Sequence, residues 1–230
     1  MSTCQNVQAI FFDLDYTLYD QRQYLRGAFE DVAYTIANAC CLDPASLYRS
    51  LLTTWERVGT DYGYLFNEWV AQLGISVQSH IKRCIEAFHA HQPKGLMLYP
   101  GVEQMLQDLK SDYLVGLITD GDAGMQQSKV AALDVEERFD LIVYAGHLAL
   151  RKPDPRIFEH ALHEARLSTA EALHVGDHPV KDIVGARRTG LHAIRVMTGE
   201  FSVLPDDPLY PPTYHLARVS EIPKALHAIL

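Results

Sequence analysis

The chain has 230 residues, 48% of them hydrophobic, with twenty basic against twenty-nine acidic side chains and a formal net charge of -9. That is enough apolar material for a real core, in one large domain or a domain with an insertion. The acidic balance, without a long basic run, argues against nucleic acid as a partner.

The amino terminus lacks a basic segment followed by a long apolar stretch, and no segment approaches a membrane-spanning length, so a cytoplasmic protein with no membrane partner is expected. Cys4, Cys40, Cys41 and Cys84 show no C-x-x-C spacing, and the histidines lack a third ligand at a recognisable interval, so neither disulfides nor a zinc site are expected.

Val7 to Phe12 is short, apolar and rich in β-branched and aromatic residues, which predicts a strand covered on both faces. It ends in Asp13 and Asp15, with a hydroxyl at Thr17. Residues two apart on an extended backbone project to one side, so the two carboxylates are expected to share a site at a strand's carboxyl end. Close carboxylates cannot both ionise cheaply: either a cation lies between them or one keeps its proton. The first outcome gives a divalent-cation site, the second a general acid beside a nucleophile. Solvated acids capping a turn are the alternative.

From Asp20 the pattern turns helical for about seventy residues. Leu25, Phe29, Val32, Ala33 and Ile36 mark one amphipathic helix, and Asp43 and Pro44 cap and open a second running to Trp55. Phe66 to Leu73 and Val77 to His91 complete a set of about four. Tyr62, Tyr64, Phe66 and Trp69, near Trp55, read either as helix-packing core or as the lining of a ligand pocket.

Pro100-Gly101 is a turn before a helix with Val102, Met105, Leu106 and Leu109 on one face. A strand follows at Tyr113 to Thr119, ending in Thr119-Asp120-Gly121, where a hydroxyl and exposed N–H groups suit an anionic oxygen. A Gly-containing turn is the plainer reading. A helix around Gln126 to Leu133 and a strand at Leu141 to Ala145 lead to Arg151-Lys152-Pro153-Asp154-Pro155, whose prolines stiffen the turn and hold Lys152 at a defined place, with Asp154 capping the next helix. Ala172 to Gly176 is a strand leading into Asp177, with Asp182 five residues on; Pro179 opens a helix and Gly190 closes it. Several acids converging at one point call for a cation, and hard oxygen ligands fit magnesium better than zinc. A strand at His192 to Met197, a Pro-rich loop, a last strand at Tyr214 to Arg218 and a short helix from Pro223 finish the chain.

Four motifs in this order, D-x-D-x-T at Asp13, Thr119, K-P-D-P-x-I-F at Lys152, and G-D with a second acid at Asp177 and Asp182, resemble those of the haloacid dehalogenase superfamily over essentially the whole chain. Asp120 departs from the Asn usual there. The resemblance implies an α/β fold: a Rossmann-like parallel sheet, strand order 3-2-1-4-5, formed by residues 1–18 and 96–230, with an inserted all-helical cap at 19–95. It implies a magnesium-dependent phosphatase acting on a small phosphorylated metabolite, such as a nucleoside monophosphate, phosphoglycolate or a sugar phosphate. Asp13 would be the nucleophile and Asp15 the acid and base. Thr119, Asp120, Gly121 and Lys152 would hold the phosphoryl group, Asp120 through its backbone, with Lys152 offsetting charge on the nucleophile. Asp13, Asp15, Asp177 and Asp182 would serve the magnesium ion. A monomer or homodimer is expected. A phosphomutase, a 2-haloacid dehalogenase and a non-catalytic phosphate-sensing module share the fold; Asp15 argues against the dehalogenase, and the intact set of acids and lysine against the sensor.

Overall fold

The computed structural model describes residues 7–75 and 77–229; Cys4 lies outside them. The chain divides into two compact units, residues 22–95 and the remainder on both sides of that segment.

The inserted unit is four helices: α1 (Arg22–Cys40), α2 (Pro44–Val58), α3 (Leu65–Gln72) and α4 (Val77–Ala90). Asp43 caps α2 by accepting from the Ser46 N–H, and Pro44 occupies the first turn, where its missing N–H costs nothing. α1 packs against α2 and α4, burying Leu25, Phe29, Val32, Ala33 and Ile36. The aromatic residues divide. Trp55 and Trp69 are buried, their indole N–H groups donating to Thr60 and Ser50. The Phe66 ring lies 5.6 Å from Phe88 and 6.4 Å from Phe29. Tyr64 is 67% exposed. The core reading therefore holds for the tryptophans, while Phe66 is half-buried with its ring against those of Phe29 and Phe88. Phe66→Ala is expected to cost about 2 kcal/mol by cavity formation and to lower Tm by about 5 °C. Tyr64→Ala should leave Tm within about 1 °C, a contrast that thermal denaturation of the two variants measures.

The larger unit is a six-stranded, all-parallel sheet: β1 (Ala9–Phe12), β2 (Leu114–Thr119), β3 (Leu141–Tyr144), β4 (Ala172–Gly176), β5 (His192–Val196) and β6 (Tyr214–Leu216). The spatial order is β3-β2-β1-β4-β5-β6, as expected, with β6 added at the edge. β1 is central and completely buried, which explains its lack of polar alternation. Its neighbours pair in register, Phe12 opposite both Leu117 and Val175, so the carboxyl ends of β2, β1 and β4 lie side by side.

Helices α5 (Val102–Leu109), α6 (Ala123–Leu133), α7 (Pro155–Ala165), α8 (Gly185–Thr189) and α9 (Ile222–Ile229) follow in the chain. α6 begins three residues before the predicted start because Asp122 caps it, accepting from the Met125 N–H. α7 buries Ile157, Phe158, Ala161 and Leu162 as predicted. The helix opened by Pro179 starts differently: Pro179–Val184 is a widened π turn that continues into α8. Among the described residues no helix is long and apolar enough to cross a membrane.

Candidate active site

The site lies where β2, β1 and β4 end. Asp13 extends β1 by one residue, its N–H donating to the Val175 carbonyl at 2.8 Å. Asp177 follows β4 directly and Asp182 lies on the π turn. One carboxylate oxygen from each of the three lies within 4.8 Å of the others, and all three residues are buried. Gly176 makes this convergence possible: a side chain there would collide with the Asp182 carboxyl group.

Lys152 enters this acidic cluster from the turn before α7. Its Nζ donates to Asp13 Oδ1 at 2.8 Å and to Asp182 Oδ1 at 2.7 Å. The lysine is 4% exposed and its bond to Pro153 is cis. Asp120, at the end of β2, turns its carboxylate to the Lys152 backbone N–H at 3.2 Å. Thr119 beside it is buried, and Gly121 has φ of +112°, a conformation that glycine adopts without strain.

Burial opposes ionisation of every carboxylate here, and the neighbours decide the outcome. Asp13 is pushed up to about 7 by desolvation, with Lys152 pulling it down and Asp182 pushing it up. Asp177 is raised well above the usual range by burial and by the charges of Asp182 and Asp13. Asp182 goes the other way: burial would raise it, but Lys152 and His174 hold it well below the carboxylate range. Desolvation disfavours the Lys152 cation, yet Asp13 and Asp182 raise its pKa above the ordinary value.

Asp15 stands apart from this cluster. Its charge still adds to those that raise Asp13, and its carboxylate is held by Lys129 Nζ at 2.9 and 2.7 Å, by Gln126 Nε2 at 3.0 Å and by the Tyr19 hydroxyl at 2.6 Å. The strand stops at Phe12, Asp15 pairs with Tyr19 in an isolated bridge, and Tyr16 adopts φ of +59°. Thr17 donates to Asp177 Oδ1 at 3.4 Å.

Five residues escaped the sequence reading. Lys129 and Gln126 are buried on α6. His174, completely buried on β4, approaches Asp182 Oδ1 at 3.0 Å through Nε2. Arg195, buried on β5, donates to the Asp177 carbonyl at 3.3 Å and to the Phe201 carbonyl at 2.7 Å. Tyr19 is the fifth. The available signal for His174 and Arg195 is the same: a lone polar residue inside an apolar strand needs a buried partner.

The arrangement joins the buried Asp13 carboxylate, a lysine that offsets its charge, and further acids at the carboxyl ends of parallel strands. Residues 10–196 match the family model of haloacid dehalogenase-like hydrolases, and the chain belongs to that family. It is 28% identical over 203 residues to a glyceraldehyde 3-phosphate phosphatase of Pyrococcus furiosus, covering 87% of this chain and 85% of that one. It is also 26% identical over 189 residues to the pyrimidine 5'-nucleotidase YjjG of Escherichia coli strain K12, covering 79% and 82%. Among solved structures, a 2-haloacid dehalogenase from Pseudomonas syringae pv. Tomato DC3000 superposes with a TM-score of 0.66 at 24% identity, covering 96% and 99% of the two chains. Within this family the chain is a phosphatase, a phosphoric monoester hydrolase.

Proposed function

We propose that the chain is a magnesium-dependent phosphatase that hydrolyses small phosphate monoesters through an aspartyl phosphate on Asp13. The observation that carries this reading is the contact between Lys152 and Asp13 inside a cluster of three buried carboxylates. A carboxylate oxygen is a competent nucleophile towards phosphorus only if its charge is compensated without blocking both oxygens, and Lys152 engages Oδ1 alone. In the first half-reaction Asp13 attacks phosphorus, the bond to the ester oxygen breaks, and Asp15 supplies the proton that oxygen needs. In the second, Asp15 takes a proton from water as its oxygen attacks the aspartyl phosphate, releasing phosphate and restoring the Asp13 carboxylate. Thr119 and the Gly121 N–H orient the phosphoryl oxygens, and Lys152 offsets their charge.

The residues fit a magnesium ion. Asp177 Oδ2 is buried and meets no hydrogen-bond donor among the described residues, a costly condition that a hard cation removes. Asp13 and Asp177 would hold it, with Asp15 offering its backbone carbonyl. Asp182 is better suited to positioning. Its Oδ1 already accepts from Lys152 and His174, and its Oδ2 from the His178 N–H at 3.1 Å. When bound, magnesium neutralises the carboxylates and stabilises charge on the transferring group.

Chelation is expected to lower turnover by more than about a hundredfold, as loss of several kcal/mol of charge stabilisation implies. Magnesium should restore it and calcium should do so poorly, because calcium's looser coordination can engage both Asp13 oxygens. A phosphometabolite panel, with glyceraldehyde 3-phosphate, phosphoglycolate, sugar phosphates and nucleoside monophosphates assayed with and without chelator, tests the metal and the substrate class together. Full activity in chelator, or halide release from a 2-haloacid without metal, would overturn the proposal.

A further inference from the structure

We infer that Lys129 is a positioning residue for the reaction: with Gln126, it fixes the Asp15 carboxylate in the orientation from which Asp15 exchanges protons with the ester oxygen and with water. The inference rests on the reading of Asp15 as acid and base, and goes beyond it by assigning the group that aims it.

The geometry is a cradle built on one helix. Lys129 and Gln126 are three residues apart on α6, hence one above the other on the same face. Lys129 Nζ contacts both carboxylate oxygens of Asp15, and Gln126 Nε2 contacts Oδ2. Gln126 also donates to the carbonyl of Asp120, so a single side chain ties Asp15 to the turn that ends β2. The Tyr19 hydroxyl closes the remaining side at Oδ1. Four donor contacts leave the carboxylate little rotational freedom.

Stability is a poor explanation for the lysine. Lys129 is 2% exposed and sits next to Val130 on the buried side of α6. Burying an ammonium there carries a desolvation cost that its ion pair only repays, and an apolar side chain of similar volume commonly gives equal or greater stability. The position that would be cheapest to fill with leucine or methionine instead carries a charge aimed at Asp15. That residue stands on a loop rather than in the sheet, so its direction has to be imposed from outside. Proton transfer demands a hydrogen-bond geometry held to a few tenths of an ångström, and neighbouring side chains are what hold it.

The two half-reactions separate this role from a structural one. Nitrophenolate leaves without needing a proton, so phosphoryl transfer from p-nitrophenyl phosphate to Asp13 survives misplacement of Asp15. Hydrolysis of the aspartyl phosphate does not, because water must give up a proton. Lys129→Met, assayed in magnesium, should therefore show a burst of nitrophenolate approaching one equivalent, followed by turnover slowed about tenfold or more. With an alkyl phosphate such as glycerol phosphate there should be no burst, kcat should fall at least as far, and KM should change by less than about twofold. Lys129→Arg should recover part of kcat. A fall in both half-reactions by one common factor with a lowered Tm, or kinetics like those of the unmodified enzyme, would overturn the inference. Asp15→Asn in the same assays tells the two levels apart. If it shows the burst and Lys129→Met does not, the positioning role fails while the chemistry assigned to Asp15 stands. If Asp15→Asn itself turns over normally, the acid–base reading fails.

Discussion

Asp13→Asn is expected to abolish turnover, by at least about 10⁴-fold, while leaving the fold intact, because the amide has nearly the shape of the carboxyl but cannot attack phosphorus. Stability gives the same substitution a second, independent signature. In metal-free buffer the folded chain holds the Asp13 proton up to about pH 7, whereas the unfolded chain releases it near the ordinary carboxylate value. The folded state therefore binds more protons across that interval, and the contribution of Asp13 to stability falls as pH rises from about 4 to about 7. The asparagine variant lacks this loss. Its advantage in Tm over the unmodified protein should be small near pH 4, widen through pH 7 to the equivalent of a few kcal/mol, and stay constant above. Added magnesium should close the gap by stabilising the unmodified protein. Denaturation series of both proteins across this range, with and without magnesium, measure it. Equal pH profiles would show that Asp13 is not buried as a strained carboxyl.

Lys152→Met should be the more damaging change for stability. It leaves Asp13 and Asp182 buried without the cation that contacts both, and breaking a buried pair from one side costs about 3 to 5 kcal/mol, or roughly 10 °C in Tm for a chain of this size. The pH dependence again follows from the shifts. Asp182 is held below the carboxylate range, so its share of the stabilisation is present above about pH 4 and lost as pH falls. Lys152 is raised, so its share is present below the ordinary lysine value and lost as pH rises through the folded one. Both are complete between about pH 5 and 10, the Asp13 charge joins them only above about pH 7, and the deficit of the variant should shrink as pH falls below about 4. Turnover should fall by about 10³-fold, since a charge placed against the transferring group is lost. Lys152→Arg should rescue little: the planar guanidinium cannot replace a compact ammonium between two oxygens 2.8 and 2.7 Å away. A Lys152→Met protein as stable as the parent at pH 7 would contradict the contact network.

Legibility differed by element. β1 and β2 were readable because strands buried on both faces are apolar throughout and end abruptly in polar residues, and β4 follows the same pattern but for His174. The prolines at 44, 155 and 179 marked helix starts, since φ is fixed and the absent N–H has no partner to lose there. Asp122 was a cap hidden among turn residues, which is why α6 began earlier than predicted. The π turn at Pro179–Val184 was invisible because a helix with one extra residue per turn has no distinct hydrophobic period over six positions.

The candidate site shows the same division. Strand ends, caps and turns are local, and the acids sit at such places, so Asp13, Thr119, Asp177 and Asp182 stood out in the order of residues, the two-residue spacing brought in Asp15, and the family resemblance of K-P-D-P-x-I-F brought in Lys152. Which of them touch could not be read that way. The spacing of Asp13 and Asp15 suggested one shared carboxylate site; the charge of Asp15 does reach Asp13, but its direct partners are Lys129 and Gln126, more than a hundred residues away. His174 and Arg195 likewise found their partners only when β4 and β5 were laid beside β1 and the loops around them. Sequence by itself determined the strands and the residues at their carboxyl ends, because these follow from periodicity and from the chemistry of strand ends, while the order of the strands came from the family resemblance of the four motifs. The tertiary structure alone decided which charge answers which, because pairing in a buried site depends on distances of a few ångströms between segments that the sequence holds far apart.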